Sequence, residues 1–379
     1  MKEVVILFNP YIMLTLLLAN ICFAEQGVLD DKIKLGMSNA LTGPTSQLGL
    51  KLRKGSQVYF DKINNLGGIY GRRIELISYD DGYEPENTVR NTRLLIEQEQ
   101  VFALFGYVGT PTSHAILSII KQKETPYLMP FTGADFLRSP QIKNVFNLRA
   151  SYLQEAKAQI KYLIENQNLK HFALVIQADE FGLAAQRSYV KALSHYNLIP
   201  VVNERFKRNS SDISKVLEKL KTKSVDAVLF VGTYLPFSRL INLAHQQNIK
   251  PYFSSLSFVS SADVFARLDY PSKVIISEVM PEPNTCQVSF CQQFLADMNK
   301  AGVEQTDGIQ FEGYFNAYVL TNVIRQCGKN LTRSCLLKKL SNLSFDKSLN
   351  LRYLAKGEKA SQVTFLSFSP LLKQQAKKL

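Results

Sequence analysis

Residues 104–113 read LFGYVGTPTS and join an apolar run to the start of a helix. The run 101–108 predicts a buried strand that ends at Gly109. Thr110 can cap a helix, and Pro111 fits the first turn because proline lacks the amide hydrogen that this turn leaves unbonded. Such a junction between strand and helix is typical of α/β proteins with parallel strands.

Short apolar runs and amphipathic stretches alternate on both sides of this junction. In the first half the predicted strands are 32–37, 74–79, 101–108 and 126–129, and the predicted helices are 47–64 and 85–98. The order restarts with a helix 152–166, a strand 171–176, a helix after Gly182, an extended segment 200–206, a helix 211–221 and a strand 227–231. Two similar halves predict an α/β fold of two doubly wound, Rossmann-like lobes, with ligands bound beyond the carboxyl ends of the strands.

The N-terminal 24 residues differ from the rest of the 379-residue chain. A weakly basic start, an apolar run 11–19 and small side chains at Cys22 and Ala24 predict a signal peptide, residues 1–24, cleaved after Ala24. The expected location is therefore periplasmic. Lipidation of Cys22 is the less favoured alternative, because this cysteine follows the bulky Ile21.

Four cysteines remain after the predicted cleavage. An even number in an exported chain suggests disulfides, and four cysteines allow three pairings. The close spacings favour two local pairs, Cys286 with Cys291 and Cys327 with Cys335. A zinc site is less favoured, because the C-x-x-C spacing is missing.

The formal net charge of +13 is compatible with a nucleic-acid partner, but the basic residues are spread along the chain rather than clustered in one patch. A basic, solvated surface is the favoured interpretation, and no nucleic-acid partner is expected.

The four histidines fall in separate predicted elements, and Asp80 and Asp81 are assigned to a strand end and turn rather than to paired catalytic carboxylates. We expect neither a metal, a cofactor nor an enzymatic activity, because no catalytic or nucleotide-binding motif is found.

A series of short motifs follows in order along the chain. It comprises Thr42-Gly43-Pro44 with Gly49, the stretch 63–76 (INNLGGIYGRRIEL), Asp80-Asp81 with Pro85, the segments 104–113 and 130–138 (PFTGADFLR), Phe181-Gly182, and Gly232-Thr233-Tyr234. In this order and spacing the chain resembles the periplasmic substrate-binding proteins of branched-chain amino-acid ABC transporters, which have the type I periplasmic binding protein fold.

The resemblance implies two lobes joined by a hinge that the chain crosses several times. The expected lobes are residues 25–147 plus 278–350 and residues 148–277 plus 351–379. They would close on a small ligand, an amino acid or related carboxylate, and deliver it to an inner-membrane ABC permease. The alternative is a sensing module of a receptor or regulatory system with the same fold.

Candidate ligand-binding residues follow from the resemblance, motif by motif. Hydroxyls beside the free N–H groups of a helix start also suit a carboxylate. Thr110, Thr112 and Ser113 are expected to bind the carboxylate of the ligand, with Phe131, Thr132 and Gly133 opposite them in the first lobe. The second lobe would contribute Phe181 and Tyr234. Ser257 and Tyr314 are expected near the mouth of the cleft.

Three positions depart from relatives that bind leucine-type amino acids. Leu48 stands where those relatives have an aromatic residue, and Phe181 stands where they have a tyrosine. Ser257 stands where they have a glutamate that pairs with the ligand ammonium. A buried ammonium without an acceptor is costly. Either another acid, such as Asp179 or Glu180, takes this role, or the ligand has no ammonium group.

Overall fold

The structure, a computed structural model, describes residues 25–343 and 365–376. Its strands are β1 Lys32–Asn39, β2 Arg73–Asp80, β3 Ala103–Phe105, β4 Tyr127–Leu128, β5 Val145–Phe146, β6 Phe172–Gln177, β7 Val202–Phe206, β8 Ala227–Val231, β9 Tyr252–Ser255, β10 Val274–Glu278 and β11 Phe365–Phe368. One sheet has the order β2-β1-β3-β4-β5, and the second has the order β11-β10-β9-β8-β6-β7. Only β10 and β11 pair in antiparallel fashion among these neighbours.

Helices connect the parallel strands, because a tight hairpin cannot join two parallel neighbours. They are α1 Ser46–Asn65, α2 Pro85–Arg93, α3 Thr110–Ala115, α4 Leu117–Lys123, α5 Tyr152–Lys161, α6 Glu180–Ser194, α7 Ser214–Thr222, α8 Tyr234–Gln246, α9 Ser261–Phe265, α10 Ser289–Lys300, α11 Gly308–Cys327, α12 Arg333–Ser341 and α13 Pro370–Ala376. The predicted α/β fold with two doubly wound halves is confirmed. The strands of the first sheet lie between residues 32 and 146 and those of the second between 172 and 368, while the exact lobe boundaries stay a prediction.

Several predicted elements differ in extent from the structure. The predicted strand 101–108 is shorter, because Gly106 turns the chain with φ 64° after β3. Helix α6 begins before Gly182, since the side chain of Asp179 accepts the N–H of Gly182 and caps the helix one turn earlier. The predicted helix 211–221 begins at Ser214.

The two longest described helices, α1 and α11, pack with their backbones in close approach. A Cβ on Gly55 would lie 1.9 Å from the carbonyl oxygen of Gln310, and a Cβ on Gly313 would lie 2.1 Å from that of Leu52. Glycine is therefore required at both positions. This packing brings Asp307, which precedes α11, to within 2.8 Å of Lys51 of α1.

Two disulfides close short loops, Cys286–Cys291 and Cys327–Cys335, with S–S distances of 2.07 and 2.11 Å. The favoured pairing is confirmed. The predicted signal peptide, its cleavage after Ala24 and Cys22 lie outside the described residues. Among the residues that the structure describes, no helix combines the length and the apolar character needed to cross a membrane.

Candidate ligand-binding site

The hydroxyls of the predicted carboxylate end are used within their own loop. Helix α3 has only six residues, and Gly109, not Thr110, is its N-cap. Thr112 Oγ1 donates to the carbonyl of Val108 at 2.6 Å, and Ser113 Oγ donates to that of Gly109 at 2.6 Å. A hydroxyl has a single proton, so neither side chain offers a donor to a ligand while these bonds persist.

Thr110 belongs to a triangle of three buried hydroxyls. Its Oγ1 lies 2.7 Å from Thr132 Oγ1 and 2.9 Å from the hydroxyl of Tyr152, and the latter two are 3.0 Å apart. All three side chains are fully buried. Gly133 permits the approach of Tyr152, because a Cβ on Gly133 would lie 2.6 Å from the tyrosine ring. The structure thus joins three predicted residues, Thr110, Thr132 and Gly133, to Tyr152 of α5, which the sequence did not indicate.

Aromatic side chains from both halves form a buried cluster next to this triangle. Phe258 lies 4.7 Å from Phe181 and 5.8 Å from Phe131 between ring centroids, and Tyr83 lies 5.9 Å from Phe258. Phe181 also packs on Tyr152 at 5.4 Å. Phe131 follows β4 in the first sheet, whereas Phe181 and Phe258 follow strands of the second. The predicted Phe131 and Phe181 are therefore brought together between the two sheets, with Phe258 and Tyr83 added.

A buried arginine stands over this aromatic cluster. The guanidinium carbon of Arg149 is 3.8 Å from the ring centroid of Phe131. Its Nη1 donates to Glu312 Oε2 at 2.6 Å, and its Nη2 donates to Ser257 Oγ at 2.5 Å. Burial tends to lower the pKa of Arg149, but the carboxylates of Glu312 and Glu155 outweigh this and raise it, so the guanidinium stays charged.

Ser257 also contacts a second buried acid. Its backbone N–H donates to Glu155 Oε2 at 2.8 Å, and the hydroxyl of Ser277 donates to the same oxygen at 2.6 Å. Ser257 follows β9 and Ser277 lies in β10, so Glu155 is held at the carboxyl ends of two neighbouring strands. Arg149, Glu155 and Glu312 were not predicted from the sequence. Glu155, for example, stands in a helix with Gln154 and Lys157, so its charge does not set it apart.

Two predicted residues lie outside the aromatic cluster. The hydroxyl of Tyr314 donates to Asp297 at 2.5 Å, and its ring packs edge-on against Tyr59 at 4.8 Å, among the helices beside the first sheet. Tyr234 is buried at the start of α8 with Arg267 over its ring at 5.0 Å. Its hydroxyl lies near the backbone of Gln47 and interacts electrostatically with Asp263 and Lys51, at the edge of the site. The structure therefore does not bring Tyr314 and Tyr234 to the aromatic cluster.

The acids named as possible ammonium acceptors are also placed elsewhere. Asp179 accepts from the N–H of Gly182 at 3.1 Å and from the amide of Gln177 at 2.6 Å, and it lies 3.3 Å from Nε of Arg208. Its two oxygens are therefore already used. Glu180, in the first turn of α6, is only partly buried.

Ion pairs connect the two halves at the edges of the site. Lys51 of α1 lies 2.6 Å from Asp263 of α9 and 2.8 Å from Asp307, an arrangement termed here the Lys51 bridge. On another side, Arg208 lies 2.8 Å from Glu84 and also donates to the carbonyl of Tyr83. The two sheets are therefore held together around the aromatic cluster by charged contacts.

Comparison with known proteins identifies the family. The model of a family described as periplasmic binding protein matches residues 32–364. A Leu/Ile/Val-binding protein of Rhizobium johnstonii is 26% identical over 225 residues, 59% of this chain, so that the match spans 60% of the relative. A leucine-, isoleucine-, valine-, threonine- and alanine-binding protein of Pseudomonas aeruginosa is 21% identical over 308 residues, 81% of this chain and 82% of the relative.

Solved structures agree with this assignment. A possible leucine/isoleucine/valine-binding protein from Rhodopirellula baltica has a TM-score of 0.83 and 29% identity, covering 89% of this chain and 94% of its own. A branched chain amino acid ABC transporter protein from Thermus thermophilus with bound valine has a TM-score of 0.81 over 91% of this chain and 94% of its own, and at 16% identity it shows the fold alone. The curated relatives are named as binding proteins, not as enzymes. The chain therefore belongs to the periplasmic binding protein family and is similar to its substrate-binding proteins of the branched-chain amino-acid type.

Proposed function

We propose that the protein is a periplasmic receptor that closes on a small amino-acid-related carboxylate and delivers it to an inner-membrane ABC permease. The observation that carries this proposal is the meeting of hydroxyl and aromatic side chains from both halves at the carboxyl ends of the strands, at Thr110, Thr132, Phe131, Phe181 and Phe258. In open α/β sheets this edge is where ligands bind. The names of the relatives support a ligand of amino-acid size.

Recognition would combine polar and apolar contacts. The hydroxyl triangle can turn its three protons toward one acceptor, such as a carboxylate oxygen, if its members stop bonding one another. The aromatic cluster would enclose an aliphatic side chain and exclude water. Closure would then be a shift between open and closed forms, driven by the higher affinity of the ligand for the closed form.

A thermal-shift panel tests the binding function. The chain from Glu25 would be partly unfolded and refolded to remove carried-over ligand, then heated with aliphatic and aromatic amino acids and with their deaminated, hydroxy and amide analogues. A ligand at a hundredfold excess over its Kd should add about 2.7 kcal/mol to the free energy of unfolding. No stabilisation by any compound in the panel would refute a receptor for this class.

A matched pair of variants places the binding in the proposed site. Thr110→Val removes one hydroxyl of the triangle at nearly constant shape and should weaken binding of the ligand roughly tenfold. Thr125→Val is the control, because the buried hydroxyl of Thr125 has no hydrogen-bond partner among the described residues. Equal affinities of the two variants would place binding outside the triangle.

Delivery to a permease needs a test in cells. Deletion of the gene should abolish uptake of the radiolabelled ligand found by the panel, and the wild-type gene should restore it. Unchanged uptake in the deletion strain would contradict the transport role while leaving ligand binding intact.

A further inference from the structure

Two polar atoms on either side of Ser257 are buried without a partner among the described residues. They are Oε1 of Glu155 and Nε of Arg149. Glu155 is 0% exposed and Arg149 is 4% exposed. Both side chains hydrogen-bond to Ser257, so that an unused acceptor and an unused donor belong to one polar group at the edge of the aromatic cluster. An unmade hydrogen bond at a buried site costs free energy, and the cost disappears when a ligand completes it.

The charges around these two atoms already balance. Arg149 pairs with Glu312, and Glu155 interacts electrostatically with Arg149 and with Arg138, whose foremost electrostatic partner is the exposed Asp135. Arg138 is itself held in place because its Nη2 donates to the carbonyl of Arg149 at 2.7 Å. Asp135 is exposed to water, and burial raises the pKa of Glu278 to about 8, so that this acid, which also interacts with Arg149, is uncharged at neutral pH. Within the enclosed group, two guanidinium and two carboxylate groups therefore sum to zero, and a further buried charge would lack a counter-charge.

We propose that Glu155 and Arg149 select a ligand whose substituent beside the carboxylate is uncharged and both donates and accepts a hydrogen bond, namely a hydroxyl or a carboxamide. This inference rests on the proposed function. A hydroxyl can donate to Glu155 Oε1 and accept from Arg149 Nε, as can a carboxamide. An ammonium has no lone pair for Arg149 and adds a charge to a balanced group, and a keto oxygen has no proton for Glu155.

The position of Ser257 agrees with this selection. The guanidinium of Arg149 donates to the hydroxyl of Ser257, so that a cation of the protein itself contacts both this serine and the ring of Phe131. Asp179 does not replace the missing acid, because it caps α6 and lies beside Arg208. A second cation beside Arg149 would be repelled at short range.

Isothermal titration calorimetry with four probes tests the proposal on the wild-type protein. The probes are leucine and the analogues in which its amino group is replaced by hydroxyl, by a keto oxygen or by hydrogen. We expect the hydroxy acid to bind tightest, by roughly tenfold or more over the analogue with hydrogen. Tightest binding of leucine or of the keto acid would overturn the proposal but not the receptor function. No binding of any probe would overturn both.

A matched pair of variants assigns the selection to Glu155. Glu155→Gln replaces the charged acceptor by a weaker, neutral amide oxygen and should reduce the preference for the hydroxy acid over the analogue with hydrogen by roughly tenfold. Glu180→Gln removes the same charge from a partly buried acid outside the group and should keep the wild-type preference. An unchanged preference in Glu155→Gln, or its loss in Glu180→Gln, would overturn the role of Glu155. The wild-type comparison holds independently if Glu155→Gln fails to fold.

Discussion

Replacing Lys51 by methionine is predicted to weaken the contact between the two halves by about 2 kcal/mol. Exposed ion pairs contribute about 0–1 kcal/mol, and removal of one partner of a fully buried pair costs about 3–5 kcal/mol. The side chains of Lys51, Asp263 and Asp307 are 20%, 10% and 12% exposed, which places the Lys51 bridge between these limits. Burial tends to lower the pKa of Lys51, but Asp307 and Asp263 outweigh this and raise it, so the bridge is charged at neutral pH.

The bond to Asp263 crosses between the halves, so its loss should act on the closed form. A change of about 2 kcal/mol shifts the ratio of open to closed forms roughly 30-fold, since 1.36 kcal/mol corresponds to a factor of ten. Small-angle X-ray scattering of the ligand-free protein should show a larger radius of gyration for Lys51→Met than for the wild type.

Lys54→Met provides the matched control for this experiment. Lys54 lies on the same helix, α1, but is exposed, so its substitution removes the same charge without breaking the bridge. Urea unfolding of Lys51→Met, Asp263→Asn and the double variant would measure the coupling energy between the two residues. A zero coupling energy, or equal radii of gyration for Lys51→Met and Lys54→Met, would refute the reasoning.

Three further predictions concern stability. Arg149→Met should lower the free energy of unfolding by about 3–5 kcal/mol, because it leaves Glu312 buried without a counter-charge. Adding Glu312→Leu to this variant should recover part of the loss, as measured by urea unfolding. Burial raises the pKa of Glu278 from 4.5 to about 8, so the folded state holds a proton that the unfolded state releases. The stabilisation from this proton is complete below pH 4.5 and is lost as the pH rises to about 8. The melting temperature of the wild type should therefore fall relative to that of Glu278→Gln across this window. Identical pH profiles of the two proteins would exclude this linkage. Gly55→Ala should destabilise the protein strongly, because its Cβ meets a backbone carbonyl at 1.9 Å, whereas Gly308→Ala, whose Cβ would be 3.8 Å from its nearest neighbour, should be tolerated.

The order of elements could be predicted because local signals determine it. Each of these signals, whether an apolar run, a helix-start residue or a glycine at a turn, can be recognised from a few consecutive residues. The parallel α/β arrangement follows from the alternation of strands and helices that they predict. The errors were local as well. The strand predicted over 101–108 stopped at Phe105 because of the turn at Gly106, and α6 began earlier because Asp179 served as its cap.

The candidate site could be predicted only in part. Phe131, Thr132 and Gly133 stand in one motif, and Thr110 stands at the strand-to-helix junction, so their spacing along the chain was informative. Tyr314 was expected near the mouth, yet its hydroxyl bonds Asp297 among the helices beside the first sheet. No periodicity distinguishes a buried tyrosine that faces a ligand from one that completes a core.

The sequence by itself determined the fold class, the two similar halves and the motifs that end the strands, and it favoured the cysteine pairing that the structure has. Only the tertiary structure decided which charges meet in the site. Arg149 reaches Glu312 across 163 positions and Ser257 across 108, and Glu155 reaches Ser257 across 102. Local patterns report periodicity and turns, whereas the partner of a buried charge depends on how distant segments pack, and that packing is settled only when the two halves come together.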